Sequence, residues 1–127
     1  MILARGENKY LEKTMNKDSI LTSTKKLLNI DENDTSFDVD VTIHINSALA
    51  TLTQLGVGPK EGFRISDKKS KWTDFVGENQ TLIGFISDFV FLKVKLIFDP
   101  PTSSFVVESM KQNLSELEWR INSAIDY

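Results

Sequence analysis

The stretch 82-LIGFISDFVFLKVKLIFDPPTSS-104 decides the fold. Leu82, Ile83, Phe85, Ile86, Phe89, Val90, Leu92 and Val94 cover nearly every side of a helix, the pattern of one buried all round. Within it, Leu92-Lys93-Val94-Lys95-Leu96 alternates as a strand does. Length decides between the two, because strands seldom exceed ~10 residues and this run is longer. Asn79 is a suitable N-cap, so the expectation is a helix over about 79–98. Asp99-Pro100-Pro101 then stops it: proline cannot continue a helix, and the residue before a proline is pushed out of helical geometry. The stretch is thus predicted to form a central buried helix followed by a rigid corner.

Beyond the corner, Val107, Met110, Leu114, Leu117, Ile121 and Ala124 alternate at intervals of three and four residues. That predicts a last helix from Thr102 or Ser103 to Ala124, with Glu116 and Arg120 paired on its exposed side. On the other side of the stretch, Val41, Ile45, Ala48, Leu52 and Leu55 form a seam that predicts a helix over 37–55. Thr35-Ser36-Phe37-Asp38 has capping-box spacing at its start, and Gly56 and Pro59 stop it. Ile20, Leu21, Thr24, Leu27 and Leu28 predict a shorter helix over 19–29, capped by Asp18 or Ser19 and ended by Asn29. Residues 1–14 lack a sustained period and Met15 looks like a second natural start. They are read as a disordered extension on a single domain over 15–127. The expected architecture is all-α, a small four-helix bundle with a long irregular loop between the second and third main helices.

That loop, 57–78, carries Lys60, Arg64, Lys68, Lys69 and Lys71 together with Phe63, Trp72 and Phe75. A loop of this length is usually functional or mobile, and Trp72–Val76 has the makings of one helical turn that pins it. Two readings stand side by side. Cations and aromatics on a loop suit a partner protein or a nucleic-acid strand. Alternatively the cations are merely solvated and Trp72 and Phe75 close the core. Phe91, Val106 and Trp119 lie off the main seams, which fits either a wide core stripe or burial against another subunit.

Bulk properties exclude much. The 127 residues suit one domain, and 40% hydrophobic with 26% charged residues is ordinary globular composition. A net charge of −3 disfavours a protein that works by blanketing phosphates. With no cysteine there is no disulfide and no thiolate ligand or nucleophile. Asp88, Lys93 and Lys95 make the apolar run unsuited to a membrane, no signal peptide is evident, and a soluble protein is expected.

Asp31, Glu32, Asp34, Asp38 and Asp40 lack the EF-hand pattern: counted from Asp31, the glycine and glutamate positions hold Ser36 and Thr42. Acids favoured near a helix N-terminus explain them better. His44, the one histidine, has no triad or metal partners, and Gly56-Val57-Gly58 follows a helix rather than a strand. No catalytic residue, metal site or cofactor is expected, so an enzyme is disfavoured.

The order of several segments is nonetheless distinctive: Lys26-Leu27-Leu28-Asn29-Ile30-Asp31, His44-Ile45-Asn46-Ser47, Gln54-Leu55-Gly56-Val57-Gly58, Trp72-Thr73-Asp74-Phe75, the Leu92–Ser104 corner, and Glu118-Trp119-Arg120. Over about 15–125 this resembles the head–tail connector (adaptor, or head-completion) proteins of long-tailed phages and prophages of Gram-positive bacteria. The resemblance implies a non-enzymatic helical subunit. It would assemble as a ring, generally dodecameric, under the portal protein, in the host cytoplasm, and remain at the virion head–tail interface. It would extend the DNA exit channel and dock a stopper or tail-completion protein, and DNA would pass without sequence-specific binding. The candidate interface is Lys60, Phe63, Arg64, Lys68, Lys69 and Lys71 in the basic loop with Asp31, Glu32 and Asp34 in the acidic one, paired across to a neighbour or to the portal. The alternative is a helical DNA-binding or DNA-packaging accessory. That role needs a basic recognition helix, whereas helices 37–55 and 103–124 are acidic or balanced.

Overall fold

A computed structural model describes residues 19–125 of the chain. The expected extension over 1–14 and the alternative cap Asp18 lie outside the described residues. Five helices follow in order: α1 Ile20–Leu27, α2 Asp38–Gln54, α3 Trp72–Val76, α4 Gln80–Phe98 and α5 Ser104–Ile125. Among the described residues there is no strand, only an isolated antiparallel bridge between Ser19 and Lys71. The all-α expectation holds, with α1, α2, α4 and α5 as the four main helices.

Helix α4 is the axis of the fold. Leu82, Ile86, Phe89, Val90 and Val94 are buried, while Ile83, Phe85, Phe91, Leu92, Leu96 and Phe98 pack half-buried around them. It packs chiefly against α2 and α5, and also against α1 and α3. The alternating 92–96 segment is helical: Val90 and Val94, four apart, are fully buried on one face, with Leu92 and Leu96 half-buried beside it. Asn79 accepts from Leu82 N at 3.1 Å, and Asp99 leaves helical geometry at φ −149°, ψ 67°. Lys95 reaches forward to Asp99 at 2.7 Å across the corner. Ser103 then serves as the entry to α5, its hydroxyl accepting from Val106 N.

Helix α2 buries Val41, Ile45, Ala48, Leu49 and Leu52. Its end is a Schellman turn: Val57 N donates to Leu52 O and Gly56 N to Thr53 O, with Gly56 at φ 98°. The start departs from expectation. Phe37 occupies the cap position without a side-chain hydrogen bond, so the 35–38 capping box does not form. The Asp38 carboxylate is drawn instead to Lys25, 2.7 Å away.

Helix α5 is different in kind. It rests mainly on α4, and Leu114 and Ile121 are its buried residues. Its outer surface leaves Phe105, Val106 and Trp119 exposed.

Candidate protein–protein interface

The connection from α1 to α2 carries the acids, and one buried cation organises it. Lys25 lies in the apolar stripe of α1 with Leu21, Thr24 and Leu28, and its side chain is only 3% exposed. Its ammonium donates to Asp34 O at 2.7 Å and to Glu32 O at 3.2 Å, and faces Asp38 Oδ1 at 2.7 Å. Two carbonyls thus take hydrogen bonds from the buried ammonium and the Asp38 carboxylate compensates its charge. Asn29, at φ 63°, turns the chain out of α1 into this loop. The carboxylates themselves face solvent: Asp31 Oδ1 accepts from Asn33 N, and Asp34 Oδ1 from the amide and hydroxyl of Ser36. The Ser36 hydroxyl and amide hold the Asp34 carboxyl below its ordinary value.

The basic connection from α2 to α3 is tied to the helices by neutral groups, while the Asp67 and Asp74 carboxylates accept locally from Lys69 N and Lys71 N. The Asn46 side chain grips the backbone of Ile65 twice, Nδ2 donating to its carbonyl at 2.9 Å and Oδ1 accepting from its amide at 2.8 Å. Ser19 Oγ donates to Lys68 O at 2.7 Å and Ile20 N to Ser70 O at 3.0 Å, which ties the end of the loop to the start of α1. Val57, Ile65, Trp72 and Phe75 are buried, and the Trp72 indole donates to Ser23 Oγ at 3.0 Å. Phe63 is half-buried against Phe75, with ring centroids 5.1 Å apart. Gly58 adopts φ 74° and passes so close that an added Cβ would lie 2.5 Å from the Phe75 ring. The loop is therefore bound along its length to the helices.

These anchors sort the candidate residues. Trp72 and Phe75 close the core, and Lys60, Arg64, Lys68, Lys69 and Lys71 are exposed. None of these five cations is in an ion pair among the described residues. Arg64 and Lys68 line a groove of about 570 Å³ that Glu32 also lines. Lys60, Phe63, Lys69, Lys71, Asp31 and Asp34 lie outside it. Part of each charged loop thus meets on one face of a single subunit. The groove has an apolar side from α2, where Val39 and Ile43 are 73% and 59% exposed.

Sequence reasoning missed Lys25, Asn46, Val39 and Ile43. Lys25 was legible in principle, since it occupies a stripe position four residues after Leu21 and three before Leu28. Of the off-seam residues, Phe91 is half-buried beside the α4–α5 crevice with Phe85 and Leu117, whereas Val106 and Trp119 are exposed. Asp88 in that crevice is shifted upward by desolvation.

No group of three or more metal-ligating side chains occurs among the described residues, and no helix there is long and apolar enough to cross a membrane. What remains is a helical body with charged and apolar surfaces suited to protein contacts. The sequence profile of the phage connector protein family matches residues 20–127. The chain belongs to that family. No curated protein and no solved structure matches it. A phage connector has a structural role at the head–tail junction and associates with other head and tail proteins. In this connector, the matched span includes every helix described above.

Proposed function

We propose that the chain is a non-enzymatic subunit of a ring, dodecameric when templated by the portal protein, that extends the DNA exit channel and docks a stopper or tail-completion protein. The observation that carries this reading is the family match over the whole helical body. The surface chemistry is compatible with it: the basic loop exposes Lys60, Arg64, Lys68, Lys69 and Lys71, free of ion pairs among the described residues. The exposed Lys60, Lys68, Lys69 and Lys71 would supply docking charge for an acidic surface of the portal. A net charge of −3 lets DNA pass without sticking, since tight non-specific binding needs a basic surface.

Light scattering and negative-stain imaging of the chain with and without purified portal protein test the reading. A ring on the portal is expected; a chain that leaves the portal bare would refute it. Charge reversal of Lys68 and Lys69 should abolish or strongly weaken portal binding, and unchanged binding would remove the docking role of these lysines. A gel shift over a salt series guards against the DNA-binding alternative, which requires tight, steeply salt-dependent retention.

A further inference from the structure

Trp119 is 69% exposed on α5, and Phe105, two heptads earlier, is 79% exposed. Seven-residue spacing places Phe105, Gln112 and Trp119 on one stripe, facing away from the buried Leu114 and Ile121. An indole so exposed on a well-packed helix is an anchor without a pocket in its own subunit. The α2 groove is a pocket without an anchor: its exposed apolar residues, Val39 and Ile43, lie one turn apart. The two features belong to different elements: the groove is built by α1, α2 and the two charged loops, whereas Trp119 lies on α5, which rests mainly on α4.

We infer that Trp119 of one subunit seats on Val39 and Ile43 in the groove of the next copy. This rests on the ring reading above and specifies its contact. Charge selects a second copy as the occupant. Neighbouring residues on a helix point about 100° apart, so Trp119 carries Glu118 on one flank and Arg120 on the other. The groove offers both signs in return: Arg64 and Lys68 from the basic loop meet the sign of Glu118, and Glu32 and Asp67 meet that of Arg120. Glu118, Arg64, Lys68 and Glu32 are in no ion pair among the described residues. Arg120 holds only the exposed Glu116, 2.7 Å away, a pair of a kind easily exchanged. Arg64 or Lys68 over the indole face would add a cation–π contact. Because knob and groove are different surfaces, the contact is head-to-tail and propagates around a ring, as an isologous contact cannot.

The absence of cysteine permits a direct test. A chain carrying both Thr42→Cys in the groove and Ser115→Cys one turn before Trp119 keeps knob and groove intact and, assembled on portal and oxidised, should give a ladder of covalent oligomers. Each single variant should give at most a dimer. Trp119→Ala, with circular dichroism as a folding control, should weaken subunit association at least about tenfold. Mixing Trp119→Ala with Ile43→Asp should yield one-to-one heterodimers and no rings, because one intact knob meets one intact groove. Wild-type rings without a ladder in the double-cysteine chain would overturn the contact and leave the ring reading standing. Trp119→Ala that keeps subunit association but loses portal or stopper binding would overturn it too, reassigning the indole to that partner. A wild-type chain that forms no ring on portal would sink both readings.

Discussion

The two charged connections of this connector are held by opposite means. The acidic one is organised from inside by a single buried cation, Lys25, whose ammonium gathers two backbone carbonyls and one carboxylate. In the basic one the cations stay outside, and the groups that tie it to the helices are neutral: the Asn46 amide, the Trp72 indole and the Phe75 ring. Each loop is therefore vulnerable at a different point. One has a single electrostatic keystone. The other has distributed packing, and its charges can change without loosening it.

That contrast can be broken most severely from the basic side. Phe75→Ala removes a buried ring that supports Phe63 and the close pass at Gly58, and should cost about 4 kcal/mol in chemical denaturation. Lys25→Met should cost about 3 kcal/mol, because it strips Asp38 of its cation and leaves two carbonyls without their donor. The lower part of the range applies since Asp38 is 29% exposed. Hydrogen exchange should quicken over 31–38 in this variant and stay unchanged over 57–71. Asn46→Ala should show the reverse pattern and cost about 2 kcal/mol, orphaning the buried amide and carbonyl of Ile65.

Acidification gives the smallest effect, read at Asp34 in the acidic loop. The folded Asp34 carboxyl lies below its ordinary 3.8, so its contribution is present above that pH and fades as pH falls through the lower folded value. An NMR titration should place the Asp34 midpoint below 3.8, and a midpoint at or above it would show that the Ser36 contacts do not persist in solution.

Much of the scaffold was legible because the signals are local. Helix α4, the Asp99–Pro101 stop, the Gly56 turn and the Asn79 and Ser19 caps depend on residues within a few positions of one another. The 35–38 capping box failed for a non-local reason: Lys25, on a different helix, outcompetes the cap for the Asp38 carboxylate. The division of the basic loop into core aromatics and surface cations was open in the sequence. It was resolved by contacts with α1 and α2 that span many residues, such as Trp72 to Ser23 and Ile65 to Asn46. The groove was invisible for the same reason. Its two charged borders come from separate loops, and Val39 and Ile43 look in the sequence like one more pair of helical apolar residues.

By itself the sequence determined an all-α chain with a central buried helix, a proline-locked corner and the family to which it belongs, because periodicity, capping and residue order are properties of the chain alone. Tertiary structure decided which charges face each other, that a lysine is interior, and that α5 keeps an exposed tryptophan. Those are matters of which surfaces become neighbours, and only packing around Leu82–Phe98 makes them so.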